Sequence, residues 1–387
     1  MINHLPLATG PFVPGIVDVI LGYKKEPFFR LYYPTKEKLN ISEQSSKWIN
    51  WLPDDAYLTG LSRVLMLYKI ILKIAFWWAA SIKIPAIYGA APKTDGSSLK
   101  CIVMSHGLGG SRFLYSNICC ELASRGFVVA ALEHKDHSAC HTFFYANKDE
   151  AEVNKKSIKE FQHIKFGKDH YPRRNEQLRM RSDECGKVID FFIKLNEGLV
   201  PHNVMDDVPF HRNSPIDFSF SQLVGKLDVG NICIMGHSFG AATALYTLSR
   251  RPEFKCGILL DPWMFPVKEE RLEEKINQPM LFINTQTFHI AANVEAMSKL
   301  IKIPNREMYT IKHTTHENQT DSVLLVGYWL NWFMRKLNPL LALKINNSLI
   351  LKFLSQQVNP LVDISDCTAL LEQEKHNIEM GLTKPWA

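Results

Sequence analysis

Six short apolar runs, each separated from the next by a helical pattern or a polar stretch, limit the possible folds more than any other feature of the sequence. They are Cys101–Ser105, Phe127–Leu132, Ile232–Met235, Gly257–Leu260, Met280–Ile283 and Met308–Ile311, each four to six residues long. Runs this short and apolar on both faces fit strands covered from both sides in a parallel sheet. Helical patterns lie between them at Phe113–Arg125, Asn175–Asn196, Phe239–Arg250 and Ile290–Leu300. This alternation specifies an α/β protein with a doubly wound, mostly parallel sheet and helices on both faces. Residues 201–228 are polar and poorly periodic, and read as a surface excursion. No repeat or linker divides the chain, so residues 1–387 are expected to form a single domain.

Within this frame Gly236-His237-Ser238-Phe239-Gly240 stands directly after the apolar run NICIM and directly before the helical run AATALYTLSR. GxSxG between a strand and a helix is a nucleophile elbow: its glycines allow a sharp turn and close strand–helix packing, and the serine hydroxyl projects from the sheet edge. A serine hydroxyl is a weak nucleophile near neutral pH and needs an imidazole base oriented by a carboxylate. In this fold the acid and then the histidine follow the serine in the chain. Asp261, in GILLDPW, is the first acid at a strand end, and Pro262 biases it toward an extended conformation. Glu253, Glu269, Glu270, Glu273 and Glu274 lie in helical or loop patterns and read as solvated surface. Among later histidines, His316 lies in the loop after the strand MYTIK, and His313 is a positional alternative. His289 opens a helix and His376 sits in a polar tail, so both are expected on the surface.

Acyl transfer also needs two N–H groups for the developing alkoxide. Phe239, after the nucleophile, supplies one; Leu108, in the turn Ser105-His106-Gly107-Leu108-Gly109-Gly110, is expected to supply the other. A phosphate-cradling role for GLGG finds neither a P-loop Lys-Ser/Thr nor the spacing of a dinucleotide fingerprint. The cluster Glu133-His134-Lys135-Asp136-His137 invites a metal reading, but it ends a strand, and its histidines should diverge in a loop near the active site. No metal and no cofactor is expected.

With 45 Lys and Arg against 39 Asp and Glu, a net charge of +6 over 387 residues gives no case for nucleic acid. The 8 cysteines mostly sit in apolar runs and show no CxxC spacing, which fits reduced thiols in an intracellular compartment. The N-terminus lacks a secretory pattern, Ile2 stands where myristoylation needs glycine, and no charge-free apolar stretch reaches spanning length. A cytoplasmic protein with no transmembrane helix is therefore expected. Two stretches lack acids: one between Asp55 and Asp95, the other from Ser322 to Val362. Leu61–Ser81 reads as one amphipathic helix with Arg63, Lys69 and Lys73 on one side and Trp77 and Trp78 at its end. Such helices suit a peripheral membrane surface, as does the 323–336 region; alternatively both stretches pack on the sheet.

The segments TGPFVPG, FFRLYYP, SHGLGGSRFLYS, GFVVAALEHKDHSA, RNEQLRMR, GHSFGAATAL, CGILLDPWMFP, PMLFINTQTF and IKHTTHENQTDS together resemble the platelet-activating factor acetylhydrolase family, in one collinear order. The resemblance covers about residues 8–335 and leaves a tail, 336–387, unassigned. It implies an α/β-hydrolase fold, the triad Ser238, Asp261 and His316, and oxyanion amides from Leu108 and Phe239. It selects His316 over His313, because the histidine two residues before Asn318 matches the family base. Pro262 and the run His313-Thr314-Thr315 depart from the family pattern in loop geometry. The implied activity is calcium-independent removal of acetyl, short or oxidised sn-2 acyl groups from a phospholipid substrate. A generic lipase or carboxylesterase would use the same triad with a different acyl pocket. A non-catalytic lipid-binding relative would not need an intact triad. Nothing in the sequence specifies oligomeric state.

Overall fold

All six apolar runs become strands. The structure is a computed structural model that describes residues 3–75, 81–96, 98–209, 216–327, 336–359 and 362–381. Strands β1 (Pro14–Ile20), β2 (Phe28–Pro34), β3 (Trp48–Asn50) and β4 (Lys83–Tyr88) precede the alternating region. The next four are β5 (Leu99–Ser105), β6 (Phe127–Leu132), β7 (His141–Phe144) and β8 (Ser157–Glu160). Then come β9 (Leu227–His237), β10 (Cys256–Leu260), β11 (Met280–Thr285), β12 (Arg306–Ile311) and β13 (Ile378–Met380). Eleven of these form one sheet in the order β13-β12-β11-β10-β9-β5-β6-β2-β1-β4-β3, and β7 pairs with β8 apart from it. From β6 through β5, β9, β10 and β11 to β12 the neighbours are all parallel. β5 has β6 on one side and β9 on the other, so the order of winding reverses there. Such a switch point opens a crevice at the carboxyl ends of the strands.

The longer helices are α1 (Asp55–Val64), α2 (Lys69–Ala75), α3 (Ser116–Ser124) and α4 (His170–Asn196), then α5 (Phe239–Leu248), α6 (Ala291–Ile301), α7 (Pro339–Val358) and α8 (Ser365–Gln373). Side chains alternate across the strands and feed two cores. Ile102 and Met104 join α3 and α7 on one face, while Cys101 and Val103 join α4, α5 and α6 on the other. This is the doubly wound architecture that the strand–helix alternation specifies, and it is consistent with the α/β-hydrolase fold that the family resemblance implies.

Four features depart from the sequence reading. β1 and β2 are buried along their whole length yet carry Asp18 and Arg30, joined by hydrogen bonds of 2.7 and 3.0 Å. Buried charges paired in this way interrupt an apolar run without preventing a strand. Residues 201–228 are not all surface: Val204, Met205 and Val208 pack with Phe28 and Phe143, and Phe218, Phe220 and Leu223 are buried. The tail forms α7, where Leu349, Ile350, Phe353 and Leu354 are core residues, and β13 closes the sheet edge. The 348–354 part of the acid-free stretch from Ser322 to Val362 is therefore a packed helix and not an interfacial one.

Leu61–Ser81 is not one helix. α1 ends at Val64, Met66 takes φ 53°, and α2 starts at Lys69. Trp77 and Trp78 lie outside the described residues, as does most of 323–336. Asp55 pairs with Lys69 and lies 3.5 Å from Lys73, while Arg63 meets Glu160 at 2.9 Å. The basic side chains thus have acidic neighbours. The apolar side chains at the break and along α2 stand open to solvent: Leu65 is 52% exposed, Met66 80%, Tyr68 81%, Ile70 63% and Ile74 68%. Among the described residues no helix is long and apolar enough to cross a membrane.

The tail helix provides a direct test of the packing. Leu354→Ala, at a site with no solvent exposure, should cost ~2–5 kcal/mol of stability. The exposed Gln356→Ala should leave the denaturation midpoint nearly unchanged. Equal midpoints for the two variants would remove α7 from the core.

Candidate active site

Ser238 stands alone between β9, which ends at His237, and α5, which starts at Phe239. Its backbone has φ 56° and ψ −116°, a strained combination for a residue with a Cβ. The two flanking glycines allow it. A Cβ on Gly240 would lie 2.0 Å from the Ser105 carbonyl oxygen, and one on Gly236 2.1 Å from the carbonyl oxygen of Gly240. Helix and strands approach too closely for any larger residue. The Ser238 N–H donates to Leu260 O at 2.8 Å and its carbonyl accepts from Trp263 N–H at 3.1 Å, which ties the elbow to the end of β10.

Asp261 leaves β10 with φ 42°, so it is left-handed and not extended as Pro262 suggested. The carboxyl is 1% exposed, accepts the Thr285 N–H at 2.6 Å and the Thr285 hydroxyl, and lies 2.9 Å from His316 Nδ1. Burial pushes this carboxyl up to about 7, while the Thr285 bonds favour the carboxylate. His316 opens the turn His316–Gln319 after β12, held by reciprocal bonds between Thr315 and Asn318. Phe288 stacks on its ring with centroids 3.9 Å apart, and His237 lies 4.3 Å away on centroids. Burial lowers the pKa of the imidazolium, which favours the neutral ring. Its Nδ1 carries the proton, because a carboxylate can only accept.

Asp261 and His316 are thus brought together at the same strand ends as Ser238. His313 instead sits at φ 61° with its N–H on Gln286 Oε1 at 2.5 Å. His376 is exposed as expected, but His289 is 4% exposed. His289 turns inward just before α6, its Nε2 3.3 Å from Thr310 Oγ1, while Ile290, Ala291 and Ala292 are exposed.

The turn after β5 faces the elbow: a Cβ on Gly107 would lie 3.3 Å from Ser238 Cβ. Most of its amides are occupied. Gly107 N–H donates to Tyr115 Oη at 2.9 Å, Gly109 N–H to Ser138 O at 2.7 Å, and Gly110 N–H to Gly107 O at 3.0 Å. The N–H groups of Leu108 and Phe239 have no protein acceptor among the described residues. The Tyr115 hydroxyl, accepting from Gly107, donates to His237 Nδ1 at 2.9 Å and so bridges turn and elbow.

Glu133, His134, Lys135 and Asp136 are all at most 3% exposed, and the histidines diverge: His134 Nδ1 meets Glu184 at 2.6 Å, His137 Nδ1 meets Glu160 O at 3.0 Å. The sequence reading missed the partners on α4. Arg174, Gln177, Arg181 and Glu184 recur at helical spacing and are buried, so this polar face meets the loops at the strand ends. The spacing was the available signal, although polar helix faces are usually solvated. His237, Asp261 and His316 offer ligand atoms within 4.8 Å of one another. His237 Nδ1 is bonded to Tyr115 and His316 Nδ1 to Asp261, whereas His237 Nε2 is buried without a hydrogen-bond partner.

The family model described as platelet-activating factor acetylhydrolase, isoform II, matches residues 2–378. A platelet-activating factor acetylhydrolase of Bos taurus is 35% identical over 386 residues, covering 98% of this chain and 83% of that protein. The Gallus gallus protein of the same name is 33% identical over 392 residues, covering 98% of this chain and 89% of its own. A putative phospholipase A2 of Schizosaccharomyces pombe is 24% identical over 382 residues, covering 84% of this chain and 83% of its own. The solved ferulic acid esterase from Streptomyces cinnamoneus shares the fold, with TM-score 0.60, 15% identity and 92% of each chain covered. The likeness runs well past residue 335 into the tail, further than the sequence motifs alone suggested. The chain belongs to the platelet-activating factor acetylhydrolase family.

Proposed function

We propose that the protein is a carboxylic ester hydrolase that removes acetyl, short or oxidised sn-2 acyl groups from phospholipids, such as platelet-activating factor, without calcium. The observation that carries this reading is the 2.9 Å pairing of Asp261 with His316 beside the strained Ser238 elbow, in a chain of this family. Ser238 Oγ attacks the ester carbonyl while His316 Nε2 takes its proton, and Asp261 holds the ring and stabilises the imidazolium. The Leu108 and Phe239 amides carry the alkoxide charge that a metal would otherwise carry. His316 then gives its proton to the departing lyso-phospholipid oxygen. Water, deprotonated by the same ring, releases the acyl group and regenerates Ser238.

Substrate reaches the site from a lipid surface. The exposed apolar side chains from Leu65 to Ile74 support peripheral docking, since they follow one another closely in sequence with Lys69 and Lys73 among them. Because Arg63, Lys69 and Lys73 have acidic partners, apolar insertion contributes more to docking than charge. Eight free, buried cysteines support a cytoplasmic setting.

Ser238→Ala should lower turnover of an sn-2 acetyl phospholipid, assayed with calcium chelated, by ~10⁵-fold or more. Activity within tenfold of the parent would refute the nucleophile, and faster turnover of long-chain phosphatidylcholine would favour a general lipase. His316→Ala should be nearly as damaging, whereas His313→Ala should retain most activity.

The acid limb of the kcat/KM profile reports proton uptake by the Asp261–His316 pair, which acts as carboxylate and neutral imidazole. Burial lowers His316 but raises Asp261 to about 7, so kcat/KM should fall as pH drops through about 7. Activity held level far below that pH would contradict the buried pair.

Replacing Met66, Ile70 and Ile74 with Ser should weaken vesicle binding and slow vesicle-borne turnover while sparing a water-soluble short-chain ester. A folded triple variant with unchanged vesicle affinity would refute docking by this segment.

A further inference from the structure

A second chain of serine, histidine and carboxylate lies behind the active site. Ser105 Oγ is 2.8 Å from His134 Nε2, and His134 Nδ1 is 2.6 Å from Glu184 Oε2. The types and spacing match a hydrolytic triad, but the burial does not: Ser105 and His134 have 0% exposure and Glu184 has 8%. No ester could reach Ser105. The position of the chain suggests a different role.

Ser105 is the last residue of β5, three before Leu108, and its carbonyl is the surface against which Gly240 packs. The Glu184 carboxylate accepts the Nδ1 proton, so Nε2 is left as acceptor for the Ser105 hydroxyl. Further bonds extend the same grip along the turn. The His134 N–H donates to His106 Nε2 at 3.1 Å, which leaves the proton on His106 Nδ1 to reach Gly107 O at 2.7 Å. Arg181 Nη2 donates to His106 O at 2.6 Å, and Arg181 Nη1 to Thr243 Oγ1 at 3.1 Å, linking turn, α4 and α5. Ser105 and His106 are therefore held by groups on α4 or just after β6, and Gly107 by His106 and Tyr115, immediately before the amide at Leu108.

We propose that Ser105, His134 and Glu184 are positioning residues that fix the Leu108 N–H relative to Ser238, so that its hydrogen bond to the ester oxygen is made at full strength only in the transition state. The proposal rests on the reading of Ser238 as nucleophile and Leu108 as oxyanion donor. A donor displaced by about 1 Å loses most of its effect on the transition state while leaving substrate binding nearly intact. The signature is a fall in kcat without a matching rise in KM.

The test compares Ser105→Ala and Glu184→Gln with Cys185→Ala, a buried change one residue along α4 that leaves this chain of bonds alone. Each is measured by thermal melt, by steady-state kinetics on a soluble short-chain ester, and by affinity for a trifluoromethyl ketone that forms a tetrahedral adduct. Both chain variants should melt as cooperatively as Cys185→Ala. Their kcat should fall on the order of 10²-fold with KM little changed, and ketone affinity should fall in parallel. Cys185→Ala should keep kcat and ketone affinity. Full kcat in folded Ser105→Ala and Glu184→Gln, with Ser238→Ala inactive, would overturn the positioning role alone. An active Ser238→Ala would overturn it together with the reading it rests on. If one chain variant fails to fold, the other decides.

Discussion

The strand–helix junction at Gly236 and Gly240 sets the geometry on which the rest of the site depends. Helix α5 lies so close to β5 and β9 that its first turn nearly touches the Ser105 carbonyl. That approach fixes three things together. It forces Ser238 into a left-handed backbone and lifts its side chain from the sheet edge. It places Phe239, the first residue of α5, directly after Ser238. It also presses the helix against the end of the strand whose following turn contains Leu108. A larger residue at either glycine would separate these parts before affecting any catalytic side chain.

The sheet supplies the remaining alignment. Ser238, Asp261 and His316 follow the carboxyl ends of β9, β10 and β12, and the Leu108 turn follows β5. In a parallel sheet these ends share one edge, so residues 55 or more positions apart in sequence meet there without long-range loops. Asp261 is held by Thr285 at the end of β11, between its own strand and the histidine's. The cost of burying its carboxylate is offset by hydrogen bonds that also fix its direction.

Much of this could be read from the sequence because parallel strands and an elbow leave local signatures. The six apolar runs and the GxSxG stand on contiguous residues, and the order serine, acid, histidine follows from the topology. What escaped the reading depends on contacts distant in sequence. β1 and β2 were hidden by Asp18 and Arg30, charges that are tolerable in a core only because each meets its partner. The break at Met66 has no Gly or Pro to mark it, so LSRVLMLYKII reads as continuous helix. His289 looked like a polar helix start, yet it faces Thr310. The polar face of α4 is indistinguishable from a solvated one until the loops of β5 and β6 are seen against it.

The proposed chemistry makes Ser238 a nucleophile activated by His316. Peptide mapping by mass spectrometry after reaction with a fluorophosphonate tests this. A single phosphonyl adduct is expected on the peptide containing Ser238, formed rapidly by the parent protein and slowly or not at all by His316→Ala. An adduct on another serine, or one on Ser238 formed equally fast without His316, would contradict it.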